Sequence, residues 1–168
     1  MKWPVPTIGL AVAMEVKVAE AIHVLLVEDN PGDADLTRES LESSKLEIDL
    51  TVAVNGSQAV DMLHKRGPFA GRVNPDLILL DLNLPGLDGR AVLSDIKRDD
   101  ELRHIPVCML TSSAAEVDVL ECYNLGANCY VAKPIDFKTF QGILRVVESF
   151  WFEIVKLPRR AGNTKLGG

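Results

Sequence analysis

Short apolar runs alternate with amphipathic segments along the chain from residue 21 onward. Five of the runs have the length of buried strands and are bounded by polar or turn residues. They predict strands at 22–27, 49–54, 77–81, 106–110 and 128–132. The segments between them have helical spacing and helix start signals. They predict helices at 31–44, 58–65 and 90–98, a fourth after residue 113, and a long final helix over 136–156.

Strands that alternate with helices through short links are typical of an α/β protein with a parallel sheet. We therefore predict a doubly wound, five-stranded parallel sheet of the flavodoxin-like (βα)5 type. Right-handed crossovers bring the carboxyl ends of all parallel strands to one edge of the sheet. Residues that follow the strands should lie together there, at the edge where such proteins bind their ligands.

The pattern defines one domain with an extension at each end. We expect residues 1–20 to be a flexible N-terminal extension, residues 21–156 to form the domain, and residues 157–168 to be a basic flexible tail. The apolar stretch 8–14 has a superficial likeness to a secretory signal, but it is short and follows two prolines. We favour a flexible leader as its interpretation.

Composition narrows the classes of function. The 168 residues are 47% hydrophobic, and no stretch has the roughly 18 consecutive apolar residues of a membrane span. The 18 basic residues against 24 acidic ones give a formal net charge of -6, which argues against nucleic-acid binding because that requires a cationic surface. Cys108, Cys122 and Cys129 lack metal-ligand spacing, and we interpret them as free thiols of a cytoplasmic protein rather than as a disulfide or metal site.

Polar residues follow four of the five predicted strands. Glu28 and Asp29 follow the first, Asp81 ends the third, Thr111 follows the fourth and Lys133 follows the fifth. Each residue alone is explained as a helix cap or a solvated strand end. Three carboxylates at one edge of a sheet, however, repel one another, and a hard divalent cation such as Mg²⁺ relieves that repulsion. We predict a metal-assisted carboxylate site.

The remaining two side chains suit phosphoryl transfer. Lys133 offers a positive charge to a phosphoryl oxygen or to Asp81, and Thr111 offers a hydroxyl donor. Catalysis of phosphoryl transfer consists mostly of positioning and charge neutralisation. The sequence thus predicts a carboxylate nucleophile for phosphoryl transfer, with Lys133 and Thr111 assisting.

These motifs, in this order and spacing, resemble the receiver domain of two-component response regulators over residues 22 to 150. The matching segments are 24–30, 76–89, 105–112 and 130–134. The resemblance implies that Asp81 accepts a phosphoryl group from a phosphohistidine of a sensor histidine kinase. It also implies a phosphoacceptor in signalling rather than an enzyme, one that assists only its own phosphorylation and dephosphorylation.

The resemblance further implies a set of metal ligands. Asp29, Asp81 and the backbone carbonyl of Asn83 would ligate Mg²⁺, and Glu28 would act through water. The chain does not depart from the family's pattern at these positions, so nothing indicates a receiver that has lost phosphorylation.

The family's switch residues also have counterparts. Lys133 would hold the phosphoryl group, Thr111 would move toward it, and Tyr130 would change rotamer in response. The resemblance also implies a cis peptide bond between Lys133 and Pro134, which proline permits at low cost.

Other α/β families fit less well. A flavin protein needs a phosphate loop rich in Ser, Thr and Gly where this chain has Glu28 and Asp29, and a dehalogenase-type phosphatase needs a second aspartate where it has Asn83. A dinucleotide-binding dehydrogenase needs a G-x-G-x-x-G motif, which the chain lacks. A phosphorylation-independent interaction scaffold on a receiver fold is the remaining alternative.

The predicted final helix has more apolar residues than one buried face needs. Phe150, Trp151 and Phe152 are in excess, and we predict that they form a homodimer interface. The alternative is that the first twenty residues cover them. The ending 149–158 also resembles small single-domain regulators that partner phytochrome-type histidine kinases in cyanobacteria, which implies such a kinase as partner and a red/far-red light pathway.

Overall fold

The computed structural model describes residues 20–158, which form a five-stranded parallel sheet with helices on both faces. The strands are β1 (Ile22–Val27), β2 (Ile48–Ala53), β3 (Leu77–Leu80), β4 (Val107–Thr111) and β5 (Cys129–Ala132). The helices are α1 (Pro31–Glu42), α2 (Gly56–Leu63), α3 (Gly89–Arg98), α4 (Glu116–Asn124) and α5 (Phe137–Ser149). A 3-10 turn at Gly67–Phe69 and a π-helical turn at Phe150–Ile154 complete the elements.

The strand order β2-β1-β3-β4-β5 confirms the predicted doubly wound fold. Strand β1 pairs in parallel with both β2 and β3, so the direction of winding reverses between β1 and β3. A crevice opens at such a switch point, beyond the carboxyl ends of the two strands. The loops after β1 and β3 therefore border the expected ligand edge.

Side chains on the sheet alternate between two apolar layers. Leu25 and Val27 of β1 belong to the layer that α2, α3 and α4 cover. Val24 and Leu26 belong to the opposite layer, which includes residues of α1 and Trp151. Because both faces are covered, β3 and β4 are buried at every position, which explains their unbroken apolar sequence.

Short polar side chains cap the helices that begin at this edge. Asn30 accepts a hydrogen bond from the backbone N–H of Asp33 at 3.1 Å and starts α1, with Pro31 at the first helical position. Asp88 accepts one from the backbone N–H of Ala91 at 3.0 Å and starts α3. The caps fix the direction in which the chain leaves β1 and β3.

The C-terminal helix is shorter than predicted. Regular α-helix ends at Ser149, and the backbone N–H of Val155 bonds to the carbonyl of Phe150 across a π-helical turn. This wider turn contains Trp151, which is only 8% exposed and lies in the apolar layer of the sheet. Our expectation that Trp151 is surplus to the core is wrong. Phe152 is partly buried against the same layer, and Phe150 is exposed.

The two predicted flexible extensions lie almost entirely outside the described residues. The alternative interpretation, in which the first twenty residues cover the C-terminal aromatic side chains, concerns the same undescribed segment. Within residues 20–158, no helix combines the length and the apolar character that crossing a membrane requires.

Gly89 opens α3 in tight contact with the end of β3, and this predicts a matched pair of variants. A Cβ at Gly89 would lie 2.7 Å from Cα of Leu82 and closer still to the carbonyl oxygen of Asp81. We expect Gly89→Ala to lower the free energy of unfolding by about 1–3 kcal/mol, since backbone atoms must move. Gly142→Ala inside α5, where a Cβ meets no such atom within 4 Å, should raise it by about 0.5–1 kcal/mol.

Urea unfolding followed by circular dichroism measures both changes. A Gly89→Ala variant as stable as Gly142→Ala would contradict the close approach of α3 to β3.

Candidate functional site

A cluster of carboxylates lies at the edge where β1 and β3 end. Glu28 follows β1 directly, and Asp81 follows β3, with its backbone N–H bonded to the carbonyl of Val27 at 3.0 Å. Glu28, Asp29 and Asp81 each present a carboxylate oxygen, and these three oxygens lie within 4.8 Å of one another. The structure thus brings together three of the acidic residues that the sequence analysis selected.

The backbone orients two of these carboxylates. Glu28 and Asp81 are both buried. Glu28 accepts a hydrogen bond from the backbone N–H of Asn30 at 3.1 Å, and Asp81 accepts one from the backbone N–H of Asn83 at 3.4 Å. Asp29 and Asn83 are exposed. The site therefore has a fixed inner part and an outer part that is open to solvent.

The ammonium group of Lys133 contacts several carboxylates of the cluster. Lys133 follows β5, its backbone N–H bonds to the carbonyl of Thr111 at 2.7 Å, and its side chain is only 5% exposed. Its Nζ donates hydrogen bonds to Glu28 and to Asp33, the latter at 3.0 Å. Nζ also lies 3.5 Å from Oδ2 of Asp81. Lys133 is thus placed to bind whatever negative charge enters the site.

Sequence reasoning missed Asp33 as a member of this cluster. It lies in the first turn of α1, three residues after the cap residue Asn30. A helix that starts at the ligand edge directs the acidic residue of its first turn toward that edge. This position was the available signal.

The electrostatics of the cluster leave excess negative charge. Burial raises the pKa of Glu28 from 4.5 to about 7, although the hydrogen bond and the charge of Lys133 act to lower it. Burial acts to lower the pKa of Lys133, but the hydrogen bond to Glu28 and the charge of Asp81 outweigh it and raise the pKa. Lys133 thus remains protonated, and one ammonium faces four carboxyl groups.

The donor set fits a hard divalent cation. Carboxylate and carbonyl oxygens at this edge are the ligand type that Mg²⁺ and similar ions prefer. Asp29 lies at the open side, where an ion can enter from solvent and keep part of its water shell.

Thr111 and Tyr130 meet at the loop between β4 and α4. Thr111 ends β4, is fully buried, and its hydroxyl accepts a hydrogen bond from the backbone N–H of Ser113 at 3.4 Å. The Tyr130 hydroxyl donates to the carbonyl of Ser113 at 2.7 Å, and its ring packs against the layer formed by α2, α3 and α4. Both predicted switch residues therefore contact the same loop residue.

Ionic contacts extend from this loop to α3. The Ser113 hydroxyl donates to Asp118 near the start of α4. The guanidinium of Arg90, on α3, bonds to Asp118 and to Glu121. The loop after β4 is consequently tied both to Thr111 and to the helices on either side of it.

The peptide bond between Lys133 and Pro134 is trans, as are all peptide bonds among residues 20–158, so the expectation of a cis bond is wrong. The trans form is intrinsically favoured before proline by about 0.5–1 kcal/mol. With this isomer Lys133 already reaches Glu28 and Asp33.

Comparisons with known proteins agree with this geometry. Residues 24–145 match the response regulator receiver domain. The chain is 42% identical over 135 residues to response regulator Rcp1 of Synechocystis sp., a match that covers 80% of this chain and 92% of Rcp1. The solved Mn²⁺-bound form of Rcp1 superposes with a TM-score of 0.80 at 41% identity, covering 82% of this chain and 99% of that one.

Two further solved structures share the fold. The phosphorylated cyanobacterial phytochrome response regulator RcpA has a TM-score of 0.81 at 39% identity, covering 83% of this chain and 99% of its own. The receiver domain of the Pseudomonas aeruginosa sensor histidine kinase PA1611, with a magnesium ion in its cleft, has a TM-score of 0.59 at 33% identity, covering 75% and 96%. Family match, strand order and site geometry agree, and the chain belongs to the response regulator receiver family.

Proposed function

We propose that this protein is a response regulator that accepts a phosphoryl group on Asp81 from a sensor histidine kinase, in a reaction that requires Mg²⁺. The observation that carries the proposal is the position of Asp81 at the switch-point edge, 3.5 Å from the ammonium of Lys133. In the transfer, an oxygen of Asp81 bonds to phosphorus as the bond from phosphorus to the histidine nitrogen breaks. Membership of the receiver family supports this role over that of a phosphorylation-independent scaffold.

Asp29, Asp81 and the carbonyl of Asn83 would hold Mg²⁺, with Glu28 acting through water. When bound, the ion neutralises negative charge on the carboxylates and on the phosphoryl oxygens. The hard-oxygen donor set supports this assignment, as do the Mn²⁺ in Rcp1 and the magnesium ion in the PA1611 receiver domain.

Lys133 and Thr111 would respond to the phosphoryl group. Phosphorylation adds a group of about two negative charges with new acceptor oxygens. Lys133 would shift its hydrogen bonds from Glu28 and Asp33 toward that group, and the Thr111 hydroxyl would donate to it. Because Thr111 also bonds to Ser113, its movement would shift the loop that holds the Tyr130 hydroxyl and Asp118. The signal would thereby reach α4.

The partner that we propose is a phytochrome-type histidine kinase in the cytoplasm. The similarity to RcpA, a cyanobacterial phytochrome response regulator, supports this choice. The acidic net charge of -6 continues to argue against nucleic acid as the output target.

We also propose a homodimer through the C-terminal helix. Its interface differs from the one predicted from the sequence, because Trp151 is buried in the core. Val146, Phe150 and Ile154 are 68%, 43% and 71% exposed and recur at intervals of four residues. Apolar side chains in such a row favour burial against a second protein surface. Phe150 and the edge of Phe152 would contribute to that contact, whereas Trp151 would not.

The phosphoacceptor is tested by a matched pair of variants. Intact mass after incubation with Mg²⁺ and acetyl phosphate should increase by one phosphoryl group in the wild type and not in Asp81→Asn. Asp49→Asn is the control, because Asp49 is exposed, contacts His23 at 3.0 Å and lies at the amino end of β2, opposite the carboxyl ends that form the site. Label retained in Asp81→Asn, or lost in Asp49→Asn, would refute the assignment.

The role of Lys133 in charge balance gives a stability prediction. Lys133→Met leaves the buried carboxyl groups of Glu28 and Asp81 without their cation, and we expect a loss of about 3–5 kcal/mol in the free energy of unfolding well above pH 7, where Glu28 is ionised. Adding Glu28→Gln to this variant should restore part of the loss, because one fewer buried carboxylate is then left unpaired. Urea denaturation of both variants measures the effect, and the idea fails if the double variant is no more stable than Lys133→Met.

The interface proposal predicts different effects at adjacent residues. Phe150→Asp should give monomers by multi-angle light scattering and leave the stability nearly unchanged, because the ring is exposed. Trp151→Ala should lower the free energy of unfolding by about 3–5 kcal/mol, since it empties a core position. A Phe150→Asp variant with the same molar mass as the wild type would exclude this interface.

A further inference from the structure

Two cysteines face each other across neighbouring strands, outside the acidic site. Cys108 on β4 is directly opposite Cys129 on β5 in the parallel register, and both belong to the apolar layer that contains Trp151. Neighbouring strands lie about 4.8 Å apart. That separation falls within the range of about 4.4–6.8 Å between Cα atoms that a disulfide bridges.

The two thiols lie close together. The Cys108 thiol donates to the carbonyl of Met109 at 3.7 Å, and Cys129 and the side chain of Trp151 are near enough to shift the pKa of Cys108. An indole N–H is a donor only, so it stabilises negative charge on sulfur. Cys108 is fully buried, whereas Cys129 is partly exposed.

The pair is therefore chemically asymmetric. The neighbouring Cys108 thiol lowers the pKa of Cys129, against the effect of burial, and the indole of Trp151 lowers it further. The proximity of Cys129 and then burial raise the pKa of Cys108. Cys129 is both the more acidic and the more exposed thiol of the pair, so a small oxidant meets it first, and Cys108 is the thiol behind it.

We propose that Cys108 and Cys129 form a reversible intrachain disulfide on exposure to a peroxide, as a modification site separate from Asp81. The Cys129 thiolate attacks one oxygen of hydrogen peroxide, the O–O bond breaks, and hydroxide leaves a sulfenic acid on Cys129. The Cys108 sulfur then attacks the Cys129 sulfur, the S–O bond breaks, and the oxygen departs as water with the Cys108 proton. Two thiols lose two electrons, and the peroxide is reduced to water.

Exposure makes this bond reversible. Cys129 is partly exposed, so a small reductant can reach the bond. Disulfides that reductants reach are the labile ones.

Oxidation also acts on the C-terminal segment. The disulfide sulfur that replaces the Cys129 thiol is a weak acceptor for the indole N–H of Trp151, and a buried donor without a good partner is unfavourable. The π-helical turn Phe150–Ile154 contains this indole. The disulfide would therefore loosen the segment that presents Phe150.

The test uses the full chain in a Trp3→Phe background, so that Trp151 is the remaining tryptophan. After hydrogen peroxide treatment we expect a mass loss of two hydrogen atoms, a linked Cys108–Cys129 peptide on a non-reducing map, and a change in Trp151 fluorescence that dithiothreitol reverses. Cys122→Ala should retain all three effects, and Cys129→Ser should lose them.

The peptide map of the parent protein decides the question even if a cysteine variant fails to fold. Unmodified thiols, oxygen added to Cys129 without a link to Cys108, or a disulfide between two copies of the chain would each overturn the proposal.

Discussion

The interaction on which the site depends is that of one buried ammonium with carboxylates from separate elements. Lys133 comes from the end of β5, and it contacts Glu28 after β1, Asp33 in α1 and Asp81 after β3. Parallel winding is what makes this possible, because it brings every strand end to one edge. Removing such charges from water is costly, and only their mutual contacts and backbone hydrogen bonds compensate for that cost. The site is consequently sensitive to any charge that enters it.

Hydrogen bonds connect the charged site to the loop between β4 and α4. The N–H of Lys133 is bonded to Thr111, Thr111 is bonded to Ser113, and Ser113 is bonded to both Tyr130 and Asp118. A change in charge at Asp81 thus has a continuous set of hydrogen bonds through which to shift the equilibrium position of the β4–α4 loop. In the switch that we propose, such a shift would favour one of two arrangements of the loop.

The sequence predicted the sheet well because buried parallel strands leave an unbroken apolar signature, and the observed strands differ from the predicted ones by about one residue. It also predicted the residues at the strand ends. It did not predict Asp33 in the cluster. The position of the Asp33 side chain depends on the direction in which α1 starts, and the Asn30 cap sets that direction. Trp151 was misassigned because three adjacent aromatic residues were treated as one patch, although Trp151 stands seven residues after the buried Leu144, on the same face of the helix. The pairing of Cys108 with Cys129 requires strand register, which spacing alone does not provide.

The central claim is that the carboxylates of Glu28, Asp29 and Asp81 form a site for a divalent cation next to the ammonium of Lys133. Calorimetric titration of Mg²⁺ into the full chain tests it most directly, with Asp29→Asn as the comparison because Asp29 is exposed and its loss leaves the buried ion pairs intact. The account predicts saturable one-to-one binding to the wild type and much weaker binding to Asp29→Asn. Absence of Mg²⁺ binding by the wild type, or equal binding by both proteins, would contradict it.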